Sequence, residues 1–511
     1  MATTDKSIPS PGTEDGESQQ GSTELRAAKP NARPKCFGST SQEILFIITA
    51  TMGVAMPNVL QGCTIVISSF VQAGLGMTTS EITWMTASSA LTSGSFLLFF
   101  GKAADLFGRR SIFIASIFFF AVLALATGFS RDGVTLDTLN GLMGLVSASL
   151  PAGQGILGNI YEAPYRRKNY AFACWSAGNP LGFVFGSIFG GIATQLFGWR
   201  ASFWLLAIIY FVVTILACFT VPADETKKLP LSFQSLKQFD VVGAVLAIVG
   251  IGLFSTGLSI GPDAPQGWKT PYVLTFIILG LLLVMTFLWW ECRFPYPLMP
   301  MDIWRDREFS LLIAIVFLGS MAFPPMTFFV ALYLQELSGF SALMTAVHML
   351  PMAVSGILAN IFAGMVLHAI SNRLLVGIGA ASYTVAFLLV AVQRSGDSYW
   401  AFTFPALVIA VIGADFEFNV ANMYVVSSLP KSQQSIAGSI FQTVSKLSVT
   451  IGLGICTAIY NSMSKNPAIS GYYAYDSFEP YAATFWFAMG STFISMFLVP
   501  FLRIKTQGHA V

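Results

Sequence analysis

The sequence predicts an all-α, polytopic membrane protein: fourteen transmembrane helices, arranged as two six-helix bundles with two additional helices between them. Three observations carry that expectation. Of 511 residues, 54% are hydrophobic and 10% charged, against roughly a quarter charged in a soluble domain. Apolar runs of about 20 residues, the length that crosses a bilayer core, recur along nearly all of the chain after residue 42. Lys and Arg are dense in alternate loops, as expected where basic residues favour the cytoplasmic side.

In chain order, residues 1–42 are rich in Ser, Pro, Gly and Glu and lack an apolar core. Such a composition cannot bury enough surface to fold, so a disordered cytoplasmic tail is expected. Six spans fill 43–222 as an N-terminal bundle, centred near Val54, Thr92, Phe120, Ser147, Phe185 and Ile209. Residues 223–308 read as a linker, whose polar stretches 223–239 and 291–308 flank two extra spans near Gly250 and Leu281. Six more spans fill 309–504 as a C-terminal bundle, centred near Met321, Ala353, Val385, Ile412, Gly452 and Thr492, and 505–511 form a short cytoplasmic tail. Two helical bundles facing each other across a midplane site suit a secondary transporter.

The count can be tested on charge. With the N-terminus inside, 21 of the 27 basic residues fall in cytoplasmic segments, among them Arg166, Arg167, Lys227, Lys228, Arg305 and Arg307. Only Arg131, Arg200, Lys269, Arg394 and Lys465 fall outside, and Lys446 lies within a span. Both termini are therefore expected to be cytoplasmic. The net charge of +2 records this loop bias and points to no nucleic-acid partner. Six scattered cysteines show no paired or metal-ligand spacing, and there is no HExxH, phosphate loop or nucleophile elbow in a suitable context. No cofactor, metal or catalytic residue is expected, and the chain does not read as an enzyme.

Between spans two and three, Gly101-Lys-Ala-Ala-Asp-Leu-Phe-Gly-Arg-Arg110 concentrates charge in a hairpin too short for a folded domain. It resembles the signature loop of the major facilitator superfamily, Gly-x-x-x-Asp-x-x-Gly-Arg-Arg/Lys, matched here by Gly101, Asp105, Gly108, Arg109 and Arg110. The resemblance implies a cytoplasmic gate in which Asp105 latches the two bundles together. A carboxylate is stabilised by a helix N-terminus, and the expected docking site is the start of span thirteen, around Ser432 to Ser435. In span five, Gly178, Gly182, Gly186 and Gly190 keep an unbroken four-residue period, which lets two membrane helices approach closely. This seam looks like the superfamily's antiporter motif, although the usual Gly-Pro pair reads Gly186-Ser187.

Ionisable residues inside a span are costly and mark function. Asp415 and Glu417 lie in span twelve and Lys446 in span thirteen. Asp415 precedes the turn at Pro430 by 15 residues and Lys446 follows it by 16, so at about 1.5 Å of rise per residue the two share one depth and are expected to pair. Asp415, Asn419 and Asn422 share a helical face, with Glu417 on the other side. Span thirteen supplies Ser439, Gln442, Thr443, Lys446 and Thr450 as a facing stripe. One acid would remain unpaired, and desolvation favours the neutral form of a carboxyl. The expected proton-coupling and substrate residues are thus Asp415, Glu417, Lys446, Asn419, Asn422 and Gln442. In the first bundle, Asn58, Gln61, Asn140 and Gln154 are candidate neutral contacts to a cavity. His348 reads as a packed structural residue.

The layout, the hairpin and the glycine seam together resemble the fourteen-helix drug:proton antiporter branch of the superfamily. Leu350–Gly356 and Gly413–Asn419 are similar to fungal aminotriazole and multidrug resistance transporters. That resemblance implies proton-coupled efflux of small amphipathic or cationic compounds by alternating access, with Phe416, Phe418 and Phe441 beside the acids. The expected partners are a small-molecule substrate, protons and the lipid bilayer. A monomer is expected, in the plasma membrane ahead of the vacuolar membrane. The superfamily's fourth-helix arginine is absent, since no Arg or Lys lies between Arg131 and Arg166. Either coupling resides in the second half or the chain is a facilitator or importer of a small polar nutrient such as ammonium. A non-transporting membrane sensor is the reading from another class.

Overall fold

The computed structural model describes residues 33–504, apart from 35, 162–165, 223–239, 262–263, 296, 298–300, 367–369 and 428–433. Among the described residues the first half comprises α1 (Thr40–Leu75), α2 (Thr79–Phe107), α3 (Arg109–Thr127), α4 (Gly133–Ser147), α5 (Leu150–Ile160), α6 (Arg166–Phe197) and α7 (Trp199–Thr220). The extra pair is α8 (Val241–Ile260) and α9 (Pro271–Glu291). The second half comprises α10 (Arg307–Glu336), α11 (Ala342–Val366), α12 (Asn372–Ala391), α13 (Thr403–Ser427), α14 (Gln434–Lys465) and α15 (Glu479–Leu498).

Twelve of these helices are long and apolar enough to cross a membrane. Two further passages complete fourteen. Helix α2 is 29 residues long but carries Thr83, Thr86, Ser88, Ser89, Thr92, Ser93 and Ser95, hydroxyls that lower its hydropathy. The fourth passage is broken into α4 and α5 at Ala148 and Ser149, where the backbone bonds tighten to i→i−3 and Pro151 supplies no N–H. Helix starts are capped locally: Ser39 accepts from the Gln42 N–H, Thr78 and Glu81 form a capping box, and Asp132 accepts from Thr135. Helix α1 begins at Thr40, three residues before the expected boundary, because Phe37 is buried against Phe46 and Ser39 caps the first turn.

Within the first bundle α1 lies along α6, α2 along α4 and α3 along α7; within the second, α12 packs on α13 and α15, α10 on α14 and α15, and α11 on α13. The bundles meet through α2 with α14, α6 with α11, and α1 with α10. Helix α8 lies against both α2 and α14, whereas α9 leans on α8. Only 11% of the most apolar window of α9 is buried in the protein, so its Leu279, Leu282 and Met285 face outward, as lipid contact requires.

Candidate functional site

Asp415 stands in the middle of α13 and turns toward α11. Its Oδ2 is buried without a hydrogen-bond partner among the described residues, and it lies 3.5 Å from where a Cβ on Gly356 would sit. One turn along α13, Asn419 Nδ2 donates to Asn360 Oδ1 at 3.0 Å, and Asn360 Nδ2 donates to the Gly356 carbonyl at 3.0 Å. The result is a carboxyl with an open lone pair beside a row of side-chain amides. Such a group takes up a proton or a cationic moiety.

Glu417 does not share that site. It is 3% exposed inside the second bundle, where Ser495 Oγ on α15 donates to Oε1 at 3.5 Å. Glycines make its room: a Cβ on Gly319 of α10 would come within 2.5 Å of Oε2, and one on Gly379 of α12 within 3.1 Å of Cγ. Two residues of helix rotate it about 200° away from Asp415. The aromatics follow the bundle core too, with Phe418 on Phe441 at 5.0 Å and Phe416 beside Phe362 at 6.2 Å.

The expected pair of Asp415 and Lys446 does not form. Both side chains are described, and no ion pair joins them. Lys446 instead lies on the face of α14 turned to the first bundle, where its Cβ would come within 2.8 Å of a Cβ on Gly94 of α2. Thr443 and Thr450 on the same stripe donate to the carbonyls of Gly94 at 3.0 Å and Ala87 at 3.4 Å. Helix rise predicts depth alone, and two helices at one depth need not turn their polar faces to each other. Asn422 and Gln442 are half-buried.

In the first bundle, Asn58 Nδ2 donates to Asn179 Oδ1 at 2.9 Å, bridging α1 and α6. Gln61 is half-buried. Asn140 is fully buried, donates to the Leu136 carbonyl at 3.1 Å and keeps an unpartnered Oδ1. The side chain of Gln154 lies outside the described residues. His348 contacts the Met344 carbonyl through Nδ1 at 2.8 Å and sits between Phe340 and Tyr399.

At the hairpin, Gly108 ends α2 and opens α3 with φ of 103°, a region that only glycine enters without strain. Arg109 Nη1 donates to the Gly155 carbonyl of α5 at 2.9 Å, and Arg110 Nη2 to the Cys218 carbonyl of α7 at 3.0 Å. The arginines thus tie the hairpin to two helices of its own bundle. Gly101 lies within α2; the Asp105 side chain and the side chains of Ser432 to Ser435 lie outside the described residues. The four-residue glycine stripe of α6 lies along α1: a Cβ on Gly178, Gly182, Gly186 or Gly190 would meet Val54, Ala55, Val59 or Cys63 within 3 Å. Ser187, in place of the usual proline, donates to Phe183 O at 2.8 Å and reaches Gly62 O on α1 at 3.3 Å.

Two features escaped the sequence reading. Glu43 at the start of α1 is buried, accepts from the Tyr161 hydroxyl at 2.9 Å, and forms an ion pair with Arg167 of α6 at 2.6 Å. Burial, then the adjoining Glu43, push the Tyr161 hydroxyl well above its ordinary value, so it remains the donor. A lone Glu before an apolar span gives no signal of partners more than a hundred residues away. The second is Asn360, an amide within an apolar span, which was visible in the sequence but had no partner until α11 and α13 were placed together.

The sequence model of the Major Facilitator Superfamily matches residues 44–453. The low affinity ammonium transporter of Saccharomyces cerevisiae is 29% identical over 77% of this chain and 76% of its own length. Efflux pump terJ of Aspergillus terreus is 28% identical over 84% of this chain and 83% of its own. The aminotriazole resistance protein of Saccharomyces cerevisiae is 23% identical over 85% and 80%. Among solved structures, the peptide transporter POT in complex with sulfate superposes with a TM-score of 0.67 at 16% identity, covering 91% of this chain and 96% of that one. It shares the fold.

Proposed function

The chain belongs to the Major Facilitator Superfamily, and on that premise we propose that it is a proton-coupled exporter of small amphipathic or cationic compounds, working by alternating access. The observation that carries this reading is Asp415, a mid-membrane carboxyl with an unpartnered oxygen beside Asn360 and Asn419. Relatives named as efflux pumps and as a resistance protein support the direction. With the hairpin end cytoplasmic, the hydrogen bonds that cross between bundles among the described residues run along the outer half, from Ser80 with Asn461 to Gly94 with Thr443. The outer mouth is then closed in this conformation. An ionised Asp415 attracts the cationic substrate from inside; after the bundles rock, an outside proton takes its place and releases the substrate. Asp105 acts in the cytoplasmic gate that closes the inner mouth, and the plasma membrane is the site of action.

A one-unit pH gradient is worth about 1.4 kcal/mol per proton, a tenfold concentration ratio. Purified protein in liposomes is expected to build a gradient-dependent ratio of a cationic dye, and Asp415→Asn to equilibrate the dye without concentrating it. Equal flux with and without the gradient, in both proteins, would sink the coupling. The ammonium transporter relative supports a second reading, uptake of a small polar nutrient. Methylammonium entry that ignores the gradient, with no movement of dye, would select it.

A further inference from the structure

The last turn of α10 is held by the second bundle on both sides of one residue. Before it, Tyr333 accepts a hydrogen bond from Gln393 Nε2 at 3.0 Å. After it, Glu336 accepts from the hydroxyls of Tyr481 and Tyr460. Between them, Gln335 points the other way and crosses to the first bundle. It is 7% exposed. Its Nε2 donates to the Val66 carbonyl at 2.8 Å and reaches Ile65 O at 3.4 Å, while Oε1 accepts from the Ser69 N–H at 3.0 Å and from Ser68 Oγ at 3.4 Å.

We propose that Gln335 holds the outer gate shut: it is a positioning residue that must release residues 65–69 of α1 before the outer mouth can open. The place calls for a neutral group that donates to carbonyls and accepts from an N–H at once, as an amide does. A carboxylate accepts from Ser69 but repels the Ile65 and Val66 carbonyls. A leucine of similar size removes all four contacts to α1. Because Tyr333 and Glu336 anchor the flanking positions, Gln335 cannot follow α1 outward. Opening breaks the clamp as a unit.

The inference rests on alternating access and the proposed orientation, not on proton coupling. The distance measurement needs neither substrate nor gradient, and the cysteine-pair experiment needs dye movement but no gradient, so their failure and that of the Asp415 flux test are separate results. Cysteines at Ala73 and Leu337, both exposed at the outer end, carry spin labels in full-length protein whose exposed Cys36, Cys174, Cys218 and Cys292 are changed to serine. The parent is expected to give one short distance. Gln335→Leu is expected to raise the long-distance population by about fivefold, the effect of losing a net hydrogen bond. Gln335→Glu is expected to be closed at acidic pH, where the neutral acid both donates and accepts, and to open as pH rises through ionisation. Unchanged distances in both variants at every pH would overturn the proposal. If Gln335→Leu does not yield folded protein, an oxidised cysteine pair at Ser69 and Gln335 decides: transport is expected to stop and return on reduction, and full transport while oxidised would overturn the gate.

Discussion

At the residue scale, the molecule separates polar groups that the sequence places side by side. Asp415 and Glu417 are two residues apart, yet one faces the amides of α11 and the other is enclosed by Gly319, Gly379 and Ser495. The two carboxyls therefore differ in what they can exchange with a substrate. Glu43 shows the structural use of a buried charge, since Arg167 and Tyr161 satisfy it from α6 and the end of α5. Removing one partner of a buried pair costs more than the pair contributes, but Arg167 is partly exposed to solvent. Arg167→Ala is expected to cost between the ~1 kcal/mol of a surface pair and the ~3 kcal/mol of a buried one. Glu43→Gln should cost less, because the amide still accepts from Tyr161. Thermal unfolding in detergent measures both, and the reverse order would contradict this account.

At the element scale, α1 and α6 lie close enough that glycine is required by space. A Cβ on Gly186 would come within 2.0 Å of the Val59 carbonyl, backbone that cannot move aside without parting the helices. Gly186→Ala is expected to destabilise by about 1–3 kcal/mol, the usual cost of overpacking, and to lower the unfolding temperature. Gly158, where nothing lies within 4 Å of an added Cβ, is the control, and equal losses at both positions would refute the packing argument. The period of four was legible in the sequence; that its partner is α1 was not. Helix α8 adds a contact no motif announced: Ser255 Oγ donates to the Thr450 carbonyl at 3.0 Å and anchors the extra pair to α14.

At the scale of the whole molecule, orientation is testable with thiols. If the hairpin end is cytoplasmic, an impermeant maleimide on intact cells should leave the native protein unlabelled. The exposed cysteines lie in the N-terminal segment, on α6, near the end of α7 and just after α9. Ser395→Cys, in the turn beyond α12 at the opposite end, should label. Labelling of the native protein and protection of that variant would reverse the topology and, with it, the assignment of the closed mouth to the outer side.

What the sequence determined by itself is what runs along the chain: the apolar lengths that become membrane passages, the basic loops and the glycine at the hairpin turn. These follow from hydropathy, charge and a rise of about 1.5 Å per residue, none of which needs a neighbour. Only the tertiary structure decided which way each helix turns its polar face. Helix rise predicts one depth for Asp415 and Lys446, while packing turned one toward α11, beside Gly356, and the other to Gly94. It also set Gln335 against Val66, 269 positions away. The rotation of a helix about its axis is fixed by the side chains of all the helices around it, so it belongs to the assembled bundle rather than to any one segment.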